Sequence, residues 1–367
     1  QGEAENGTNT ADHDFTNIPS PLRRSAPLQG RAKPCLVDRR TSTRAALLPA
    51  ATLRAGSAAS GLPEPYARAM ACRDMTVLSH NILADTWVNF AGDGGRAWYP
   101  DVPPLLLSLA ARLPLVFEGI VASGADIVCL QEVGVSEMQE MRRSADLTRR
   151  YHFLPHACNK TTAAREANGT MLLLLRTTFE DGAWTHWIEQ LSDDGPAAAV
   201  ALCVPRDLGS KVLVASAHLD YKAAGVEQGR VLLHRLEELS SQQQASAVLC
   251  CGDFNAERGS PVLRLARSMG FRDALEATPP APDSGCSQQR RGEGIDFILF
   301  KGPLEVDGEV DGASVAKGRA PLRGEAAAAP SQRGAPLGRD AWSARMLLAQ
   351  FGSDHPPVRA RLRLAAG

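Results

Sequence analysis

The sequence predicts an α/β (α+β) protein built on mixed β-sheet, because apolar strand-like runs and amphipathic helices both recur along most of its 367 residues. Hydrophobic residues make up 44% of the chain, which is enough for a sizeable core. In the middle of the chain several strand-like runs follow one another without a helix, which excludes a strict β-α-β alternation. Several of these runs also stop abruptly in acidic, amide or histidine residues.

The segment before the first strand has a different character from the rest. Residues 1–70 have almost no hydrophobic periodicity, and residues 21–60 are rich in Arg, Ala, Ser and Pro, with Asp38 as their only acid. That composition suits a disordered basic tail, which we prefer, or an organellar transit segment. We therefore expect an intracellular protein, cytoplasmic or, with a transit segment, mitochondrial or plastidial. The catalytic domain is expected over residues 71–367.

Hydrophobic periodicity gives the order of elements from residue 74 onwards. Strands are predicted at 75–83, 126–130, 170–176, 184–191, 198–204, 211–217, 247–251, 295–300 and 358–364. Helices are predicted at 104–123, 136–149, 225–241 and 261–269. A Gly-, Ala-, Pro- and Arg-rich stretch over residues 302–338 predicts a long, mobile loop inserted before the last strand.

Composition narrows the classes of function. Lys and Arg number 40 against 41 Asp and Glu, so the net charge of −1 supplies no general positive field for long nucleic acid. A nucleic-acid substrate would therefore be gripped locally, at an end or over a few nucleotides. The 8 cysteines form no C-x-x-C pair and no zinc spacing, which favours free thiols in a reducing compartment. No apolar run approaches the roughly 20 residues needed to span a bilayer.

Side chains able to bind a metal or move a proton stand at or near the ends of several predicted strands. They are Asn81, Gln131, Glu132, His218, Asp220, Asp253, Asn255, Asp296, Ser353, Asp354 and His355. Taken singly, a terminal Glu is usually solvated, an Asp-x-Asn is usually a turn, and a lone His is usually structural. Together, acids, amides and histidines without cysteines are the groups that Mg²⁺-assisted phosphoryl chemistry requires.

The order of the motifs that carry these residues resembles the endonuclease/exonuclease/phosphatase, or DNase-I-like, superfamily over about residues 74–364. The motifs are SHNILAD, LQE, an NG before a strand, HLD, GDFNA, IDFIL and SDHPPV. The resemblance implies a four-layer sandwich of two mixed β-sheets flanked by helices, with the site at one edge. It also implies a metal-dependent phosphoric ester hydrolase.

The resemblance implies a role for each matching residue. Glu132 would be the principal Mg²⁺ (or Mn²⁺) ligand, Asn81 would hold metal or phosphate beside it, and Asp354 would bind the metal or its water.

The remaining roles concern the reacting groups. Asp253 would orient or deprotonate the attacking water, and Asn255 would contact the scissile phosphate. His218 and His355 would donate to phosphate oxygens as charge builds, and Asp296 would fix the tautomer of His355.

Two features resemble the deadenylase, nocturnin, angel and 2′-phosphodiesterase branch. One is the SHNILAD opening, and the other is Trp98-Tyr99-Pro100 followed by a helix that carries Arg112. The branch implies a Mg²⁺-dependent 3′-5′ exoribonuclease, with RNA or an oligonucleotide as its substrate. His80 departs from the pattern, because the group usually has an aromatic residue there.

A few further residues are candidates for contacting the substrate. Asn168 belongs to the NG motif, and Trp87 and Tyr221 could stack on a base, although packing is the alternative for both aromatic residues. Basic residues that could touch phosphates are Lys160, Arg165 and Arg258.

Other substrates remain open on the same fold. They are a nucleotide carrying a 2′-phosphate, damaged DNA, and a phospholipid headgroup. An inositol-phosphatase type is disfavoured, because Gly292-Glu293-Gly294 stands where that type has Cys-Asp-Arg. An interpretation from another class is a binding scaffold that has lost activity, against which the complete residue set argues.

Overall fold

The computed structural model describes residues 72–89, 99–100, 102–158, 167–193, 195–206, 209–221, 223–277, 295–307 and 344–365. The expectations for residues 1–70, for Trp98, Lys160 and Arg165, and for most of the predicted insertion fall outside these ranges.

Strands and helices alternate irregularly along the described chain. The strands are β1 (Cys72–Asn81), β2 (Ile127–Gly134), β3 (Tyr151–Phe153), β4 (Ala157–Cys158), β5 (Asn168–Leu175), β6 (Trp184–Gln190), β7 (Ala197–Cys203), β8 (Val212–His218), β9 (Ala247–Asp253), β10 (Arg272–Asp273), β11 (Asp296–Lys301), β12 (Leu304–Val306) and β13 (Val358–Ala365). The helices are α1 (Asp85–Val88), α2 (Pro104–Leu107), α3 (Leu109–Ser123), α4 (Val135–Arg143), α5 (Ala145–Arg150), α6 (Ala223–Gln243), α7 (Pro261–Ser268), α8 (Ala274–Ala277) and α9 (Ala344–Phe351).

The strands form two mixed sheets. One has the order β12-β13-β1-β2-β5-β3, with β4 also paired to β5, and the other has the order β10-β11-β9-β8-β7-β6. Each contains one parallel pair, β1 with β2 and β8 with β9, and antiparallel strands on both sides of it. A helical crossover links each parallel pair, since α3 lies between β1 and β2 and α6 between β8 and β9.

Side-chain alternation along the strands builds the layers. In β2, Ile127 and Cys129 belong to the core between the two sheets, whereas Val128 and Leu130 face the core under the helices on one outer side. The second sheet presents Val248 in the same way to the core formed with α6 and α7. The predicted four-layer sandwich of two mixed β-sheets flanked by helices is therefore confirmed.

Several element boundaries differ from the predictions. The helix predicted at 104–123 is interrupted at Ser108, and the one predicted at 136–149 is interrupted at Ser144; both serines have extended backbone. The Ser144 hydroxyl caps α5 by accepting from the Leu147 N–H, which explains that interruption. Propensity alone favours continuous helices.

The predicted mobile loop at 302–338 is wrong at its beginning. Residues 304–306 form the edge strand β12, antiparallel to β13, because Leu304 is fully buried in the core between the sheets. Five cysteines of the described ranges are free thiols: Cys129, Cys158, Cys203, Cys250 and Cys251. Among the helices of the described ranges, none is long and apolar enough to cross a membrane.

Candidate active site

The sheet topology brings the polar strand ends to one edge of the sandwich. The parallel pairing of β1 with β2 stops at Asn81 and Gln131, next to Glu132. The parallel pairing of β8 with β9 stops at His218 and Asp253. Strand β11 runs antiparallel to β9, so Asp296 at its start pairs with Asp253. Strand β13 runs antiparallel to β1, which places the loop before it at the same edge.

Asp253 lies at the centre of this edge and is 2% exposed. Its Oδ2 accepts from Asn81 Nδ2 at 3.0 Å and lies 3.7 Å from His218 Nε2 and 3.8 Å from His355 Nε2. Its Oδ1 accepts from the Asn255 backbone N–H at 2.9 Å. One carboxylate oxygen thus faces an amide and two imidazole rings from different elements, while the other is held by the backbone.

Asn81 and Glu132 form the other side of the site. The fully buried Asn81 donates from the same Nδ2 to Glu132 Oε1 at 3.0 Å, and the Ala84 N–H donates to Glu132 Oε2 at 2.9 Å. The Asn81 Oδ1 accepts from the Leu83 N–H at 3.0 Å. Burial raises the pKa of Glu132, against the lowering effect of His218. A buried acid held by these donors can remain ready to bind a cation.

The ring of His355 lies against the carboxylate of Asp296. Its Nδ1 lies 2.8 Å from Asp296 Oδ2, which leaves Nε2 facing Asp253. Burial opposes the charged form of the ring, but Asp296 and Asp253 outweigh it and raise the pKa of His355 well above its ordinary value. This shift favours the protonated ring, in which Nε2 can donate.

His218 is held by Asn255. The Asn255 amide nitrogen lies 3.1 Å from His218 Nε2 and also donates to the Leu219 carbonyl at 2.9 Å. The side chains of His218 and His355 are 16% and 19% exposed, so solvent and substrate can reach both rings.

Two site residues adopt backbone conformations that L-amino acids rarely take. Glu132 has φ 56°, where the register between β2 and β5 shifts between Leu130 and Val133. Asn255 has φ 46°. Positive φ at two residues other than glycine costs free energy, and such strain concentrates at functional sites.

The residues at this edge fit a hard divalent cation. Asp354 accepts from the Tyr99 hydroxyl at 2.8 Å through Oδ2, while its Oδ1 is buried without a hydrogen-bond partner. The charge of Asp354 also contributes to the raised pKa of Glu132, so the two carboxylates repel each other. A cation between them would relieve this repulsion and satisfy the orphaned oxygen.

A second group of possible ligands lies beside the first. Asp253, Asp296 and His355 each offer one ligand atom, and these atoms lie within 4.8 Å of one another. Asp296 Oδ1 is also buried without a hydrogen-bond partner. The edge therefore offers oxygen ligands on both sides of the Asn81 amide.

The predicted substrate-contacting residues lie in different surroundings. Asn168 is 6% exposed at the start of β5, Trp87 packs against a small apolar cluster around Leu83, and Tyr221 is 70% exposed just beyond His218. Arg258 is turned into the protein, where it pairs with Asp273 at 2.9 Å. Their roles toward substrate stay predictions.

One supporting residue does not stand out in the sequence. Gln228, 2% exposed on α6, accepts from the Asp220 N–H at 2.8 Å and donates to Asp220 Oδ2 at 2.6 Å, which fixes the loop after His218. A glutamine on the apolar face of a predicted amphipathic helix was the available signal.

Two known proteins are similar to this chain in sequence. Protein angel homolog 2 of Homo sapiens is 24% identical over 237 residues, which covers 60% of this chain and 42% of that protein. Protein angel homolog 2 of Danio rerio is 26% identical over 238 residues, covering 60% of this chain and 40% of that protein. The chain thus spans about two fifths of the length of these curated relatives.

Solved structures share the fold. The crystal structure of ANGEL2, a 2′,3′-cyclic phosphatase, in complex with adenosine-2′,3′-vanadate has a TM-score of 0.59 at 18% identity, and the match covers 80% of this chain and 96% of that one. The human Nocturnin catalytic domain with bound sulfate has a TM-score of 0.52 at 18% identity, covering 79% and 94%. These likenesses show that the chain shares the fold of both structures.

A family model supplies the assignment for most of the chain. The model of the Endonuclease/Exonuclease/phosphatase family matches residues 78–355, which include each of the residues gathered around Asp253. The chain therefore belongs to the endonuclease/exonuclease/phosphatase family of phosphoric ester hydrolases.

Proposed function

We propose that this chain is a Mg²⁺- or Mn²⁺-dependent hydrolase that cuts a phosphate ester at the 3′ end of RNA or of a short oligonucleotide, as a 3′-5′ exoribonuclease does. The observation that carries this proposal is the convergence of His218, His355 and Asn81 on a single oxygen of Asp253. Such a group can activate a water on one side and stabilise a charged phosphoryl group on the other.

Asp253 is suited to hold and deprotonate the attacking water. Its Oδ1 is occupied by the Asn255 N–H, so Oδ2 is the oxygen that faces the reacting groups. A water held on this oxygen would lie within reach of both imidazole rings, which is the placement that a general base requires.

His355 is suited to donate to a phosphoryl oxygen. Its Nδ1–H donates to Asp296, and in the protonated ring Nε2 carries a second proton that points into the site. His218 would donate from the opposite side through an Nε2–H, and the Asn255 amide, which lies 3.1 Å from that nitrogen, would then donate to a phosphate oxygen instead. Two donors around a phosphoryl group stabilise the charge that grows in the transition state.

Glu132 and Asp354 would hold the metal ion, with Asn81 beside them. A bound Mg²⁺ would supply charge neutralisation and polarisation of the phosphoryl oxygen. The buried, unpartnered Oδ1 of Asp354 and its repulsion with Glu132 support this assignment.

The choice of substrate rests on charge and on the relatives. The net charge of −1 argues against a general grip on long nucleic acid and in favour of one chain end. Tyr221, 70% exposed close to His218, could stack on a terminal base, and Asn168 and Trp87 are further candidates for contacting substrate.

A second candidate is the hydrolysis of a 2′,3′-cyclic phosphate at an RNA end. The observation that favours it is that the ANGEL2 structures, whose fold this chain shares, are described as those of a 2′,3′-cyclic phosphatase. The same catalytic groups would serve both reactions, since each breaks one phosphate ester bond.

The test compares substrates under matched metal conditions. The full chain is incubated with 5′-labelled oligo(A), mixed-sequence RNA, single-stranded DNA, 2′-5′-linked oligoadenylate and RNA ending in a 2′,3′-cyclic phosphate. Each is run with Mg²⁺, with Mn²⁺ and with chelator, beside Asp253→Asn. The exposed-surface variant Glu140→Gln serves as the matched control, because Glu140 pairs with Arg143 away from the site.

The outcomes separate the candidates. A metal-dependent ladder that shortens from the 3′ end, absent with Asp253→Asn, supports the exoribonuclease. Conversion of the cyclic end alone supports the second candidate. Cleavage of DNA alone contradicts both, as does inactivity on every substrate. Inactivity would direct attention to 2′-phosphorylated nucleotides, lipid headgroups and the inactive scaffold.

A further inference from the structure

Arg112 is a charged side chain buried completely inside the protein. It lies on α3 with 0% exposure, and its Nε donates to the Leu107 carbonyl at 3.0 Å. Its Nη2 makes no hydrogen bond and lies 3.6 Å from Asp85 Oδ1. Burying a guanidinium costs free energy unless its N–H groups donate to acceptors. The contacts of the third nitrogen, Nη1, therefore indicate the role of Arg112.

The Nη1 of Arg112 binds the loop that follows β1. It donates to the Ile82 carbonyl at 3.1 Å and to the Leu83 carbonyl at 2.7 Å. The next backbone groups of this loop act on the site, since the Leu83 N–H donates to Asn81 Oδ1 and the Ala84 N–H donates to a Glu132 oxygen. Leu83 itself has φ 57°, a conformation that needs such support.

The same Nη1 binds the loop that precedes β13. It donates to the Gly352 carbonyl at 3.3 Å. Gly352 has φ +71°, and a Cβ there would meet the Arg112 carbonyl oxygen at 2.3 Å, so this loop is seated directly against α3. The next residue, Ser353, donates to the Asn81 carbonyl at 2.7 Å and accepts from the His355 N–H at 3.1 Å.

The charge around Arg112 is balanced locally. Asp85 lies beside Nη2, and the Asp85 N–H donates to the buried Glu137 carboxylate at 2.7 Å. Glu137 lies in the first turn of α4, the helix that follows Glu132. The guanidinium is therefore surrounded by segments that flank the site on three sides, from β1, β2 and the loop before β13.

We propose that Arg112 is a positioning residue, which holds the loops 82–84 and 352–355 in register so that Asn81, Glu132 and His355 keep the geometry that hydrolysis needs. Arg112 touches neither substrate nor the reacting atoms and acts through backbone carbonyls. Its effect on turnover rests on the proposed function, whereas its effect on the two loops does not.

The experiment uses two substitutions in the full chain and one control. Arg112→Met removes the charge and all donors at similar length. Arg112→Lys keeps the charge but loses the Nε donor to Leu107 and the rigid planar group that fixes the direction of Nη1. Ile120→Ala is the control, because Ile120 is fully buried on the same helix and packs in the core under it. It should destabilise the fold without touching either loop.

Three readouts are measured well below the melting temperature of each variant. Amide hydrogen exchange should rise about tenfold or more in segments 82–85 and 352–355 of Arg112→Met, with little change in the strands. Binding of Mn²⁺, measured by titration, should weaken. On a cleaved oligonucleotide kcat should fall about 100-fold with KM nearly unchanged, as expected for misplaced catalytic groups. Arg112→Lys should recover part of each loss.

Specific outcomes overturn the proposal. One such outcome is an amide exchange rate in the two loops that is unchanged in Arg112→Met. Another is an exchange rate that Ile120→Ala raises equally. Either would show that Arg112 only stabilises the fold. If Arg112→Met fails to fold, Arg112→Lys decides. Amide exchange in the two loops and Mn²⁺ affinity equal to those of the wild type would then overturn the proposal. If wild type cleaves no substrate, the proposed function fails, and exchange and Mn²⁺ binding still decide the role of Arg112.

Discussion

The amide nitrogen of Asn81 lies 3.0 Å from Oδ2 of Asp253, and this contact joins two strands that belong to different sheets. The same nitrogen donates to Glu132 at 3.0 Å. One buried amide therefore separates two carboxylates that would otherwise repel each other across the edge of the sandwich. It also explains why a polar residue is placed in an otherwise apolar strand, since a buried amide requires partners.

Replacing Asn81 by Ala should damage both stability and turnover. The free energy of unfolding should fall by about 1–3 kcal/mol, because two buried carboxylates lose a donor. The kcat should fall about 100-fold, because Asp253 and Glu132 lose their common anchor. Denaturant unfolding and steady-state kinetics measure the two effects. Asn89→Ala is the control, because Asn89 is exposed and its side chain donates to Asp85 on α1. Equal losses in both variants would contradict the role given to Asn81.

Replacing Asp296 by Asn should move the alkaline side of the pH–rate profile to lower pH. Asp296 raises the pKa of His355, so the donating imidazolium persists well above pH 6.5 in the wild type. The same interaction stabilises the fold. Its contribution is complete below the pKa of His355 in the unfolded chain, and it is lost as the pH rises through the pKa of His355 in the folded protein. In the Asp296→Asn variant the His355 ring would lose its proton at lower pH.

The measurement is kcat/KM between about pH 5.5 and pH 9.5, a range that begins below the ordinary histidine pKa and extends well above it. Asp74→Asn is a suitable control, because Asp74 pairs with Arg363 on the surface and its side chain is 43% exposed. An alkaline limb that stays in place in Asp296→Asn would show that His355 is not the titrating donor.

His80 should make the protein sensitive to acid. Burial, with a contribution from the nearby His355, lowers the pKa of His80 to about 3, and its Nε2 lies 3.2 Å from the His355 carbonyl. The unfolded chain takes up a proton below about pH 6.5 and the folded one does not. Stability is therefore full above about pH 6.5 and is lost as pH falls, by about 2 kcal/mol at about pH 5.

The comparison is between wild type and His80→Phe, which removes the titrating ring. The difference in unfolding free energy between about pH 7.5 and about pH 5 should be about 2 kcal/mol smaller in the variant. The other titrating groups are common to wild type and His80→Phe. If the free energy of unfolding depends on pH in the same way in both proteins, His80 is not buried in its neutral form.

Glu132→Gln should weaken metal binding while keeping the fold. The substitution keeps the size of the side chain but removes the charge that faces Asp354. Titration with Mn²⁺ should show an affinity at least about tenfold lower, since hard cations depend on carboxylate charge. Chelator should abolish turnover of the wild type, and added Mg²⁺ should restore it. Wild-type affinity in Glu132→Gln would place the cation elsewhere, with the Asp253, Asp296 and His355 group as the alternative.

Much of this protein can be read from its sequence, for a definite physical reason. Side-chain burial repeats every two residues in a strand and about every 3.6 in a helix, so apolar patterning located β2, β8 and β9 and the helices between them. The residues at which those strands change from apolar to polar, such as Glu132 and Asp253, were identified in the same way. Parallel strands then place such ends at one edge of a sheet.

What the tertiary structure alone decided is which groups meet. The sharing of one Asn81 nitrogen by Glu132 and Asp253, the turning of Arg258 toward Asp273, and the seating of Gly352 against Arg112 each depend on how separate elements approach one another. The periodicity of apolar residues along the chain does not specify how close two separate elements come to each other. Hydrogen bonds and charge interactions act over a few ångströms in space at any distance along the chain, so only the packed sandwich determines them.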